Sequence, residues 1–82
     1  IDSLVVGRRS NLATALATGA VSLHEQDIAD AERLAPLFAG VDWVFHLAAM
    51  ADIVPSITHP MTYHRANVDG TIAVLEAARA AD

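Results

Sequence analysis

The sequence predicts an α/β chain, part of a doubly wound parallel sheet, and three features carry that expectation. Trp43 to Ala49 is an almost unbroken apolar run of strand length, the pattern of a parallel strand covered by helices on both faces. On either side of it, segments with helical periodicity alternate with segments of strand character, separated by short polar loops. Two acids, Asp2 and Asp27, and the small pair Ala48-Ala49 fall at the ends of the expected strands. Right-handed crossovers gather such strand ends on one edge of the sheet, where ligands of open α/β sheets bind.

Each element follows from local chemistry. Ile1-Asp2 reads as the tail of a strand and Ser3 to Arg9 as a loop containing Gly7. Ser10 or Asn11 is suited to cap a short helix with Leu12, Ala15 and Leu16 on one face, and Gly19 is its left-handed stop. From Ala20 to Gln26, Val21 and Leu23 alternate with Ser22 and His24, which predicts a strand running into Asp27. Asp30 is a natural cap for the next helix, where Leu34, Leu37, Phe38 and Val41 recur at helical spacing. Pro36 removes a backbone donor, so this helix is expected to be short or kinked.

After the strand Trp43–Ala49 a loop through Pro55 is expected, and His59-Pro60 resembles a helix start with proline at the first helical position. The long helix then runs to about Ala81. Its expected buried stripe is Val68, Ile72, Leu75 and Ala78, with Arg65, Asp69, Glu76 and Arg79 facing away. Gly70 in mid-helix costs about 1 kcal/mol against alanine, a cost that close approach to the neighbouring strand would explain.

Composition bounds the function. The chain has 82 residues, of which 54% are apolar, enough for one small domain with a core of marginal extent. The net charge of −5 comes from ten acids against five bases, all arginine and forming no basic run or patch, which argues against a nucleic-acid partner. No apolar run approaches the roughly 18 residues that cross a bilayer, and no basic segment precedes an apolar signal core. The expectation is a cytoplasmic protein without a membrane partner. The absence of cysteine excludes disulfide scaffolds and thiolate metal sites. His59 and His64 are five apart, off a common helix face, and His24 and His46 lie on different expected strands, so no metal site is expected. No Gly-x-Ser-x-Gly elbow presents a hydrolytic nucleophile.

The run Asp2-Ser3-Leu4-Val5-Val6-Gly7-Arg8-Arg9-Ser10-Asn11-Leu12, the pair Asp27-Ile28, the strand end His46-Leu47-Ala48-Ala49 and the helix motif Asn67-Val68-Asp69-Gly70-Thr71 resemble, in order and spacing, the extended short-chain dehydrogenase/reductase family. The resemblance is to its NAD-dependent epimerase and dehydratase members, most of all those like UDP-glucose 4-epimerase. It covers essentially the whole chain. It implies part of a Rossmann-like doubly wound parallel sheet, from the end of the second strand through the long helix after the fourth strand. Residues 1–82 would then be a partial NAD-binding domain.

The same resemblance assigns cofactor contacts. Asp2 would hold the adenosine ribose, with Ser3 beside it, and a carboxylate there favours NAD over NADP because it repels a 2′-phosphate. Asp27 would accept from the adenine amino group while the Ile28 N–H meets a ring nitrogen. Leu47, Ala48 and Ala49 would offer backbone against the ribose and pyrophosphate, and Asn67 would maintain geometry near the nicotinamide. Taken singly, these residues have other readings: a solvated loop acid at 2, a cap or turn at 27, strand packing at 47–49, and a solvent-facing helix asparagine at 67. The sequence departs from some epimerases at Met50-Ala51-Asp52, where those carry a lysine.

Two parts of the family's machinery are not found. There is no glycine-rich phosphate-binding turn, and no catalytic Tyr/Lys dyad can be built, because Tyr63 is the only tyrosine, Asn67 stands four residues beyond it and the chain has no lysine. No residue here is therefore assigned a catalytic role. The first strand with its glycine-rich turn and the C-terminal catalytic and substrate part would belong to a longer parent enzyme. In that parent a tyrosine takes a proton from a sugar hydroxyl as NAD takes hydride from its carbon. Epimerisation or loss of water follows from the same first oxidation. The resemblance further implies a nucleotide-sugar substrate and a homodimer with the last helix as candidate interface. The alternative is a free-standing, non-catalytic binding or assembly module with a Rossmann-like fold.

Overall fold

The computed structural model describes residues 1–82. A 3₁₀ turn, Arg9–Leu12, leads into helix α1, Ala13–Ala17. Helix α2, Ala31–Leu34, runs into a second 3₁₀ turn, Ala35–Phe38. After the extended apolar segment come α3, Ile53–Thr58, and α4, Pro60–His64. A π turn, Arg65–Asp69, then carries the chain into α5, Gly70–Ala81.

Several local expectations are met for the reasons given. Asp30 accepts from the Arg33 N–H, capping α2. Pro36 falls where α2 tightens into a 3₁₀ turn, which is the expected interruption. Gly19 adopts φ +75°, and the Thr18 hydroxyl donates to the Ala15 carbonyl and accepts from the Ala20 N–H, closing α1. Pro60 begins α4 directly after His59. Other local expectations fail. Neither Ser10 nor Asn11 caps the first helix, because the 3₁₀ turn already begins at Arg9 with Arg8 at the cap. The segment through Pro55 is helical rather than a loop. Pro55 sits in the first turn of α3, where its missing N–H would have had no partner in the helix.

The expected sheet is reduced to one parallel pairing. The Asp2 N–H donates to the His24 carbonyl and the Gln26 N–H donates to the Asp2 carbonyl, both at 3.1 Å, bridging Asp2 and Glu25. Residues 20–26 otherwise form no strand, and residues 43–49 make no backbone–backbone hydrogen bond. The chain has 38 backbone–backbone hydrogen bonds, where roughly 55 are usual for this length. The missing ones are ladder bonds. A strand is defined by its neighbours, and apart from the Asp2–Glu25 bridge none is supplied.

The apolar run expected to be covered on both faces is exposed, with Trp43, Phe45 and Leu47 each more than four-fifths accessible. The molecule is only 17 Å thick along its shortest axis, whereas a helix–sheet–helix sandwich is roughly 30 Å thick. One face of residues 43–49 meets helices and the other has no second layer.

The core is correspondingly small: Leu34, Phe38, Ala73, Val74 and Ala77, with Ile28, Leu37 and Ala78 packed against it. The buried face of α5 is thus not the predicted stripe. Val68, Ile72 and Leu75 are substantially exposed, and only Ala78 of that set is half-buried. Helix α5 is apolar around much of its circumference, so periodicity alone does not choose a face. The small side chains of Gly70, Ala73 and Ala77 let it approach Leu34, Phe38 and Ile28 closely, and that approach makes the choice. A Cβ at Gly70 would stand 2.8 Å from the Ile28 Cδ1. The close neighbour that explains this mid-helix glycine is therefore the Ile28 side chain rather than a strand backbone.

Candidate functional site

The Asp2 carboxylate organises the loop that follows it. Its Oδ1 accepts from the Leu4 N–H at 2.7 Å, and Leu4 is held at φ +59°, a left-handed conformation that costs a non-glycine residue about 1–2 kcal/mol. The loop then returns so that Gly7 lies against the same carboxylate. A Cβ at position 7 would be 2.7 Å from Oδ2 and 3.1 Å from Cγ. No group in the chain donates to Oδ2, and Asp2 and Ser3 are both exposed. Gly7→Ala must therefore push the carboxylate away, and we expect it to break the Asp2–Leu4 contact and expose the Leu4 amide to exchange; unchanged protection of that amide would contradict the packing of Gly7 on Asp2.

Asp27 is fixed from two sides. Its Oδ1 accepts from the Ala29 N–H at 2.9 Å and its Oδ2 pairs with the Arg65 guanidinium. The Ala29 backbone hydrogen bond first, and then Arg65, hold its carboxyl below the ordinary value against the opposing effect of burial. The carboxylate is thus ionised at neutral pH. A lowered folded-state value means that the stabilisation is present above the ordinary carboxylate range near about 4 and is lost as pH falls through the lowered value. Both side chains are about half exposed, so the ion pair is worth no more than about 1 kcal/mol. Arg65, expected to face away, instead reaches across to the segment after Glu25.

Asn67 ties the π turn to the end of the extended segment. Its Oδ1 accepts from the Met50 N–H at 2.8 Å and its Nδ2 donates to the Met50 carbonyl at 2.9 Å. One amide thus satisfies both backbone groups of a residue that has no strand neighbour. Four residues on, the Thr71 hydroxyl donates to the Asn67 carbonyl at 2.6 Å. That uses its only proton, so the 2.9 Å contact with His46 Nε2 requires the imidazole to donate. Residues 46 and 50 are held to the helix by side chains where a sheet would hold them by backbone.

These segments enclose an open cleft of about 780 Å³. Seven of the eight residues singled out in the sequence line it: Asp2, Ser3, Asp27, Ile28, Leu47, Ala48 and Ala49. Asn67 lies outside the lining and acts on it through Met50, which lines it. The backbone N–H groups of Ile28, Leu47, Ala48 and Ala49 donate to nothing in the chain. Gln26, nine-tenths buried, also lines the cleft, and its Nε2 has no partner. Sequence reasoning missed Arg65, Gln26 and Met50. No signal in the chain links residue 27 to residue 65, and Met50 participates through its backbone, to which residue type is blind. No three His, Asp or Glu side chains stand together in a metal-binding arrangement. No helix is long and apolar enough to cross a membrane.

The family described as GDP-mannose 4,6 dehydratase matches residues 2–82. A dTDP-glucose 4,6-dehydratase of Mycobacterium tuberculosis (strain ATCC 25618 / H37Rv) is 38% identical over 80 residues, covering 96% of this chain and 24% of that protein. The dTDP-glucose 4,6-dehydratase 1 of Escherichia coli (strain K12) is 38% identical over 82 residues, with 96% of this chain and 23% of the relative covered. A UDP-glucose 4-epimerase of Streptomyces lividans is 36% identical over 77 residues, covering 87% and 23%. The chain spans about a quarter of the length of these relatives.

Proposed function

Because this chain belongs to the GDP-mannose 4,6 dehydratase family, among the NAD-dependent dehydratases and epimerases of nucleotide sugars, we propose that it is the cofactor-side part of such an enzyme. The relatives point to a 4,6-dehydratase at least as much as to the 4-epimerase that the sequence pattern favoured. The observation that carries this reading is the single cleft that brings Asp2, Asp27-Ile28 and Leu47–Ala49 together from three separate segments.

The groups lining that cleft suit a dinucleotide. Asp2 offers Oδ2 to the hydroxyls of the adenosine ribose while Oδ1 keeps the loop in place, and Ser3 contributes beside it. Asp27 accepts from the adenine amino group, and the unspent Ile28 N–H lies next to it in sequence to meet a ring nitrogen. Leu47, Ala48 and Ala49 present free backbone with small side chains at 48 and 49, so that a ribose and pyrophosphate can lie against the main chain. Asn67 holds Met50, and with it the direction of the chain leaving that surface. When bound, NAD supplies the hydride acceptor for oxidation of a sugar carbon. The proton-transferring groups and the nucleotide-sugar pocket belong, in this reading, to the remainder of a longer chain.

Two measurements on the full-length enzyme test it. Incubation with dTDP-glucose should yield a 4-keto-6-deoxy sugar nucleotide, whereas interconversion of UDP-glucose and UDP-galactose would select the epimerase branch. Absence of both activities would overturn the assignment. Asp2→Asn keeps the Oδ1 acceptor for Leu4 but removes the charge, so the preference for NAD over NADP should fall about tenfold, corresponding to roughly 1.4 kcal/mol. An unchanged ratio would show that Asp2 does not read the ribose.

A further inference from the structure

We infer that Arg65 is a positioning residue for cofactor specificity: by fixing the Asp27 carboxylate at the edge of the cleft, it sets discrimination in favour of a 6-aminopurine over a 6-oxopurine. This rests on the proposed role of Asp27 toward adenine. Arg65 and Asp27 are 38 positions apart in sequence and come from different elements, yet both line the same cleft and their side chains pair. The carboxylate would otherwise be held only by the Ala29 N–H on Oδ1, leaving Oδ2 free to swing about the side-chain torsions. With Arg65 on Oδ2, both oxygens have defined positions.

The chemistry of the discrimination follows from that rigidity. A fixed, ionised carboxylate is an acceptor only. It attracts the exocyclic amino group of adenine and repels the carbonyl oxygen that replaces it in hypoxanthine. A carboxylate free to rotate can turn away from that carbonyl, so repulsion of the wrong base weakens together with attraction of the right one. Arg65 reaches this position from the first residue of the π turn, where the Gly70 N–H donates to the Arg65 carbonyl five residues back. That wider turn begins at the residue that contacts Asp27 and contains the residue that holds Met50. Such turns recur at functional sites.

The test is binding of NAD and of nicotinamide hypoxanthine dinucleotide to the cofactor-free full-length enzyme by calorimetry, in wild type, Arg65→Met and Arg65→Lys. Wild type should prefer NAD by about tenfold or more. In Arg65→Met that preference should fall about fivefold, mainly through weaker NAD binding, with affinity for the hypoxanthine analogue within about twofold of wild type. Arg65→Lys should recover part of the preference. If Arg65→Met weakens both dinucleotides equally, Arg65 supports the fold only and the inference fails while the role of Asp27 stands. If wild type itself binds both equally, Asp27 does not meet the adenine amino group and the underlying reading fails as well.

Discussion

Replacing Leu34 with alanine is expected to cost about 3 kcal/mol of stability, seen as a marked fall in the unfolding midpoint of the protein. Leu34 is the one large side chain with no accessible surface, and it sits among only four other buried core residues. A core of this extent has few neighbours that could move into the space. The comparison that sharpens the test is Leu75→Ala on α5. The spacing of apolar residues places Leu75 in the buried stripe, but its side chain is exposed, so its loss should change stability by no more than about 0.5 kcal/mol. Equal effects of the two substitutions would mean that α5 uses the face read from periodicity and not the one formed by Ala73, Val74 and Ala77.

Asn67→Ala is expected to be the second most damaging change, at about 2 kcal/mol, because it strips two hydrogen bonds from the half-buried backbone of Met50 at once. Asn67→Asp is the informative companion. It retains an acceptor for the Met50 N–H but faces the Met50 carbonyl with a carboxylate oxygen, so it should be no better than alanine despite its nearly identical shape. Loss of exchange protection at the Met50 amide in Asn67→Ala would verify the contact, and retained protection in that variant would contradict it. On the proposed reading of the cleft, cofactor affinity should fall with it, since Met50 follows directly on Leu47–Ala49 and all four line the cleft.

How much was legible in the sequence depended on how local each cause is. The Asp30 cap, the left-handed Gly19, the interruption at Pro36 and the helix start at Pro60 are each decided within one turn of chain, and all are present. The loop expected through Pro55 failed on a similarly local point, because proline is as acceptable in the first turn of a helix as in a loop. Seven of the eight positions singled out in the sequence come to one cleft, although only the Asp2–Glu25 pairing of the expected sheet is present. The internal wiring of that cleft was not legible. Arg65 on Asp27, the Asn67 amide on Met50 and the His46–Thr71–Asn67 chain each join residues 17 to 38 positions apart or depend on a hydroxyl proton with one place to go.

Residue type and spacing alone establish the family, the local helix signals at Gly19, Asp30, Pro36 and Pro60, and the absence of a Tyr/Lys dyad. Tertiary structure alone decided which face of α5 is buried, how far the strands are paired and what each cleft side chain touches. The physical reason is common to all three. Hydrophobicity and hydrogen-bonding capacity are written into each residue, but burial and pairing belong to two partners at once. For the apolar run at 43–49 one of its two faces has none among these residues, while for α5 the small side chains admitted the partner that periodicity could not name.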